Sequence, residues 1–310
     1  MNCAHKVKRS KVKKSNYFLA ILLTALSGLV FYSAHLPLPS EKAPVQWYVA
    51  ESSDDLAQLL QKAIAKAKHS VFLRAFTLQD PHLLRLLEKK QKAQVQIDAL
   101  CDGRYNGQLP SFIQKVSGKG LFHRKVLIID DTEVYLGSAN FTTSSLIDQA
   151  NHIAAFHDPK LAAFLKGGCG VFRNGDLEIY TLPSAAALKR LIETIDTAKS
   201  SIDLALFTLS HPSLLDALER AEKRGLCVRV IFDSSGAFRS KQLTRRWIWR
   251  GGALMHHKFA LFDGETVAFG SANWTKSAFE KNDDILAFMP APTKAKELFE
   301  RLLQKSVPAS

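Results

Sequence analysis

Two periodicities alternate along this chain. From Ser52–Asp55 to about Lys68, apolar positions recur every three or four residues behind a Ser/Asp-rich start, which predicts a capped amphipathic helix. The pattern returns from Ser184 to Lys199. A short apolar strand is predicted after each helix, Val71–Phe76 and Ile202–Phe207. A second helix then opens near Pro81 or Pro212, with proline in its first turn, and a strand ending in aspartate follows (Val95–Asp102; Val228–Asp233). Strands alternating with helices predict a sheet covered by helices.

The recurrence is a duplication. "VFLRAFTLQDPHLLRLLEKK" (71–90) aligns with "IDLALFTLSHPSLLDALERA" (202–221) at an offset of 131, and "FHRKVLIIDDTEVYLGSANFT" (122–142) with "MHHKFALFDGETVAFGSANWT" (255–275) at 133. Self-similarity at so long a period means two copies of one structural unit. The expected organisation is a basic tail and apolar segment (1–40), a first half (41–165), a hinge (166–176) and a second half (177–310). The hinge, "KGGCGVFRNGD", is glycine-rich but lacks the Lys-Ser/Thr pair of a phosphate loop.

Composition is that of an ordinary globular protein, 46% hydrophobic and 23% charged, which excludes disordered and fibrous classes. The net charge is +13, of which Lys6, Lys8, Arg9, Lys11, Lys13 and Lys14 supply six, so the rest of the chain is itself basic and suits an anionic partner, lipid headgroups or nucleic acid. No charged residue lies between Ser15 and Ser40, and residues 17–32 are almost wholly apolar. With no small-x-small cleavage site, since Tyr32 stands where a small residue belongs, the run reads as an uncleaved hydrophobic helix that anchors the chain, with a cleaved signal as the alternative. Positive-inside logic puts the rest on the extracytoplasmic side. Cys101, Cys169 and Cys227 show no metal spacing and read as ordinary thiols.

One motif carries chemistry: His-x-Lys-x4-Asp-x6-Gly-Ser-x-Asn. It occurs as His123, Lys125, Asp130, Gly137, Ser138, Asn140, and as His256, Lys258, Asp263, Gly270, Ser271, Asn273. Six letters at fixed spacing arise by chance on the order of once in 10⁷–10⁸ windows, so two occurrences are not accidental. His and Lys two apart on a strand share a face. The next four residues are apolar enough for burial on both faces, and the chain turns back so that Gly-Ser-x-Asn arrives beside His-x-Lys. Displacement at phosphorus needs a nucleophile and a leaving-group acid in line on opposite sides. Two facing copies supply two imidazoles, with lysines and asparagines for the phosphoryl oxygens, and neither metal nor cofactor is required. This nominates His123, Lys125, Asp130, His256, Lys258 and Asp263 as catalytic, and Ser138, Asn140, Ser271 and Asn273 as substrate-binding. Asp130 and Asp263 could equally cap their own turns.

The duplicated motif resembles the signature of the phospholipase D superfamily over the chain beyond about residue 45, and the short halves look most like its small bacterial nuclease branch fused in tandem. The resemblance implies two similar α/β halves side by side, an active site at their interface, and a phosphohistidine intermediate on His123 with His256 as acid. Family members place an acid eleven positions after the motif asparagine, expected to orient the histidine of its own half. That position is Asp284 in the second half but Asn151 in the first, with Asp148 a possible substitute. On this reading Asp284 holds His256 protonated and His123 is left neutral.

His152 and His157 lack metal-ligand spacing, and His257 is expected on the strand face opposite His256. "LTRRWIWRGG" (243–252) reads either as a rim that stacks on bases or sits at a membrane, or as partly buried tryptophans with solvated arginines. The resulting expectation is a membrane-anchored phosphodiesterase, acting as a monomer, that cleaves a phospholipid to phosphatidate and headgroup alcohol. A nuclease, a phosphatidyltransferase of the cardiolipin synthase kind and an inactive phosphate-binding module are the alternatives.

Overall fold

The computed structural model describes residues 36–309 except 53, 237 and 239–242. The basic tail and the apolar run at 17–32 lie outside the described residues, and among the described residues no helix is long and apolar enough to cross a membrane. Residues 39–310 form one compact unit.

In chain order the first half comprises β1 (Val45–Val49), α1 (Leu56–Lys66), β2 (Ser70–Ala75), α2 (Pro81–Lys92), β3 (Gln96–Asp102), β4 (Ile113–Val116), β5 (Lys125–Ile129), β6 (Glu133–Gly137), α3 (Thr143–Ile147), β7 (His152–His157) and α4 (Pro159–Gly167). The second comprises β8 (Val171–Asn174), β9 (Leu177–Thr181), α5 (Ala185–Thr197), β10 (Ser201–Leu206), α6 (Pro212–Lys223), β11 (Cys227–Phe232), β12 (Arg245–Trp249), β13 (Lys258–Phe262), β14 (Thr266–Gly270), α7 (Lys276–Glu280), β15 (Ile285–Pro290), α8 (Thr293–Gln304) and β16 (Ser306–Pro308). Strand order is β1-β7-β6-β5-β2-β3-β4 in one sheet and β16-β12-β11-β10-β13-β14-β15-β9-β8 in the other. With β16 and β8 removed from its edges, the second order is the first read backwards, so the fold is two similar α/β halves. β8 lies within the segment read as the hinge.

The elements follow from the sequence. Asp55 caps α1 by accepting from Gln58 N, and the helix buries Leu56, Leu59, Leu60, Ala63 and Ile64, the face of a 3.6-residue repeat. The Asp80 carboxylate caps His82 and Leu83 with Pro81 in the first turn. Every residue of β5 and β13 is buried, as their unbroken apolar runs require. The two sheets meet in a shared core that mixes Trp47, Val126, Val134 and Phe156 with Phe259, Val267 and Phe269. Trp47 packs edge-on to Phe269 with centroids 4.9 Å apart.

Motif glycines serve this packing. A Cβ on Gly137 would sit 2.2 Å from the His152 carbonyl oxygen, and on Gly270 2.2 Å from that of Ile285. Only glycine lets β6 and β14 end so close to the next strand.

The motif aspartates, expected among the catalytic groups, are instead committed to backbone amides away from the imidazoles. Asp130 accepts from the backbone amides of Lys68, His69 and Ser70, and Asp263 from those of Lys199, Ser200 and Ser201. Both close the loop before β2 or β10 at the far end of the hairpin, roughly 17 Å along an extended strand from the motif lysine. Burial alone would raise the Asp263 pKa, but these amides hold it down at about 2. Its contribution to stability is therefore complete above the unfolded carboxylate range, near 4, and is lost as pH falls through about 2. Asp263→Ala should cost about 1–2 kcal/mol of stability at pH 7 while leaving turnover of the folded enzyme within about twofold, checked by denaturant unfolding and assay on one preparation. The stability deficit should shrink below pH 4.

Candidate active site

Each motif histidine sits just before its strand, held by the other half. Phe122 bridges in parallel to Asp283, and Met255 to Ala150. His123 N donates to the Asp283 carbonyl at 2.8 Å, and His256 N to that of Ala150 at 2.9 Å. Asp102, at the end of β3, and Asp233, just after β11, steady the residue before each histidine: Asp102 accepts from Phe122 N and Asp233 from Met255 N. Phe76 and Phe207, at the end of β2 and β10, pack against the two imidazoles with centroids 4.7 and 5.4 Å away.

This exchange decides what touches each ring. Asp284 does not orient His256. Its Oδ1 accepts from Nδ1 of His123, in the opposite half, at 2.7 Å. His256 Nδ1 lies 3.0 Å from the Ser138 carbonyl and 3.2 Å from Asn151 Oδ1, two acceptors that fix a proton on it. The expected pairing within a half fails because the bridges carry each histidine over to the residue eleven after the other half's asparagine. Asp148 is exposed at the end of α3, and Asn151 itself occupies the place beside His256.

Ser138 and Ser271 are buried, and their hydroxyls donate to Asn151 and Asp284 at 2.8 and 2.7 Å. Both hydroxyls, expected to meet substrate, are thus committed to these side chains. The side-chain Oδ1 of Asn140 and of Asn273 is buried with no hydrogen-bond partner, leaving both amides uncommitted among the described residues. Lys125 and Lys258 Nζ each donate to the carbonyl of their own motif histidine, at 2.9 and 2.8 Å. The sequence reading overlooked Phe76, Phe207, Asp102, Asp233 and the role of Asn151; the first four recur at the 131-residue offset and were available to a residue-by-residue comparison of the copies.

Electrostatics separate the two histidines. Burial lowers the pKa of His123, the Asp284 carboxylate opposes it, and Lys125 lowers it further. His256 has no carboxylate and is driven well below the usual range by burial, Lys258, Lys125 and His123. Burial pushes Lys125 down to about 7 against the pull of Asp284, and Lys258 well below its ordinary value. Burial would raise Asp284, but His123, Lys125 and Ser271 outweigh it and keep the carboxylate ionised. Such a site is short of negative charge, and an anion entering it would raise the proton affinity of its lysines and imidazoles.

The 243–252 segment contains β12. Trp249 is buried with Nε1 donating to Ala253 O, and Trp247 is half-buried against the core, so the tryptophans form no exposed rim.

Residues 60–166 and 191–305 match the family described as "Cardiolipin synthase, PLD-like domain", and the chain belongs to this phospholipase D-like family. It is 36% identical over 137 residues to the mitochondrial cardiolipin hydrolase of Xenopus laevis, covering 40% of this chain and 65% of that protein. The chain spans less than two thirds of the length of the curated relatives it matches. Among solved structures, phosphatidylserine synthase of Haemophilus influenzae Rd KW20 superposes with a TM-score of 0.67 at 13% identity, over 89% of this chain and 90% of that one. Polyphosphate kinase of Porphyromonas gingivalis superposes with 0.63 at 17% identity, over 86% of this chain and 48% of that one. At these identities the likeness is one of fold.

The crossed pair makes a directional prediction. Asp284→Asn removes the charge that raises the proton affinity of His123, so the His123 imidazole should titrate at lower pH than in the wild type, followed by NMR of ¹⁵N-histidine protein. Turnover should fall by about 10²–10⁴-fold, as when another buried His–Asp pair loses its charge. A downward shift at His256 with His123 unchanged would restore pairing within the half.

Proposed function

We propose that the chain hydrolyses membrane phospholipids by a phospholipase D-type double displacement, releasing phosphatidate and the headgroup alcohol. The observation that carries this is the pair of imidazoles brought from opposite halves, each with its Nδ1 proton committed to an acceptor and Nε2 without a partner among the described residues.

His123 Nε2 attacks phosphorus, and the positive charge that develops on the ring is stabilised by Asp284. As the P–O bond to the headgroup breaks, His256 Nε2 passes its proton to the departing oxygen; a ring beside a neutral carbonyl and amide releases it more readily than one beside a carboxylate. A water then gives a proton to His256 Nε2, its oxygen attacks phosphorus, and the P–N bond breaks to free phosphatidate and restore both rings. Lys125, Lys258, Asn140 and Asn273 take the non-bridging oxygens. The roles of the histidines are those the sequence suggested, with the reason reversed: the carboxylate serves the nucleophile.

Lipid is favoured by the family match and by a relative named cardiolipin hydrolase. The uncharged N-terminal run supports a single anchor that keeps the monomeric catalytic part beside a bilayer, on its extracytoplasmic face. The basic charge outside the tail favours a nuclease as the second reading, and phosphatidyl transfer to an alcohol differs only in what replaces water.

Purified full-length protein should release phosphatidate from vesicles of labelled phospholipid and leave labelled single-stranded DNA intact. His123→Ala and His256→Ala should each lower lipid turnover by about 10³-fold or more. DNA cleavage without lipid turnover would establish the nuclease, and transfer to added alcohol in preference to water the transferase. Protease applied outside intact cells should reach the catalytic part; full protection contradicts the orientation.

A further inference from the structure

Behind His256 lies a set of buried groups that this reaction does not use. His152, on β7, and His257 are both fully buried. Their rings stack with centroids 5.4 Å apart, and their Nδ1 atoms approach to 3.1 Å. At the outer end, Glu51 Oε2 lies 3.1 Å from His257 Nε2, with its side chain only 7% exposed. At the inner end, His152 Nδ1 lies 3.4 Å from Ser138 Oγ, the hydroxyl that donates to Asn151 Oδ1, which in turn contacts His256 Nδ1. Trp47 stacks on His152 at 4.9 Å. A cavity of about 110 Å³, lined by Glu51, Asp148 and Lys305 among others, adjoins the outer end.

Two imidazole nitrogens this close share one proton. A carboxylate accepts, so Glu51 fixes a proton on His257 Nε2. When the pair is neutral, His257 Nδ1 is a bare acceptor and His152 supplies the Nδ1–H. When the pair holds one more proton, His257 is an imidazolium between Glu51 and His152, and the His152 proton moves to Nε2, a buried atom with no partner. The two arrangements present different atoms to Ser138. Nothing comparable surrounds His123, where the corresponding positions hold Ile285 and Arg124, and Arg124 pairs with Asp283. Packing alone does not require an imidazole beside Ser138, because Ile285 fills the place of His152 in the other copy.

We propose that Glu51, His257 and His152 are positioning residues for His256: the proton they share sets, through Ser138 and Asn151, how firmly His256 holds its own. The inference rests on the reading of His256 as acid and base. The other charged groups acting on His256 are Lys258, Lys125 and His123. Lys258 also acts on His152, and Arg301 donates to the Glu51 carbonyl and the Ser52 hydroxyl.

The test leaves those groups in place. Glu51→Gln removes one negative charge and lowers the proton affinity of the imidazoles behind it. With vesicles of labelled phospholipid, the alkaline limb of the kcat profile should move to lower pH by about half a unit or more, with the acidic limb and KM little changed. In His152→Ile, which installs the residue of the other copy, the same Glu51→Gln change should lose most of its effect. NMR of ¹⁵N-histidine protein reads the coupling without turnover, as a downward shift of the His256 titration in Glu51→Gln. A rate loss uniform across pH, with the His256 titration unmoved, overturns the proposal. A shifted titration with unmoved rate limbs upholds the coupling and instead overturns the role of His256 as acid.

Discussion

The crossed grip of each half on the other's histidine is the constraint on which the site depends. His123 donates through Nδ1 to Asp284, 161 residues away, and His256 is held by Asn151 and the Ser138 carbonyl. The backbone does the same, since the residue before each histidine bridges to the opposite half. Neither half alone can therefore orient its own motif imidazole. The shared core between the sheets fixes the geometry of the chemistry as well as the fold, and any loosening there is felt at both rings. A buried, paired imidazole keeps its tautomer only while its acceptor stays within hydrogen-bond distance.

How much of this could be read in the sequence depended on whether information was local. The motif was legible because six residues keep their spacing twice, and α1, α2, β5 and β13 because helical periodicity and unbroken apolar runs announce them. Fixed spacing does not distinguish a residue the turn needs from one the reaction needs, so the amides of residues 68–70 and 199–201 that hold Asp130 and Asp263 are not legible in it. The hydroxyls of Ser138 and Ser271 look available in the sequence until their partners, Asn151 and Asp284, are known. The crossed pairing was out of reach, since aligning the copies gives neighbours within a half and says nothing of contacts between halves. Four-residue strands such as β4 and β8 are too short for periodicity to register. β7 opens with a histidine that is buried among His257, Trp47, Phe259 and Phe269, all distant in sequence.

Duplication supplied two equal halves, and the chemistry depends on where they have ceased to be equal. The position beside His123 is a carboxylate and the position beside His256 an amide, so a positive charge is favoured on the first ring and not on the second. The same divergence continues outward: His152 and His257 stand where the other copy has Ile285 and Arg124. On the proposed mechanism, two chemically different roles at one phosphorus arise from a few substitutions in one repeated scaffold, with the lysines and asparagines left symmetrical for the non-bridging oxygens.

The central claim is that the carboxylate across the interface marks His123 as the nucleophile. The most direct measurement is covalent trapping with a p-nitrophenyl phosphodiester, whose leaving group needs no acid, followed by intact-mass analysis and peptide mapping. His256→Ala should accumulate a phosphoryl adduct on His123, because the base that activates water is gone, and His123→Ala should accumulate none. An adduct on His256 in the His123→Ala protein would contradict the account.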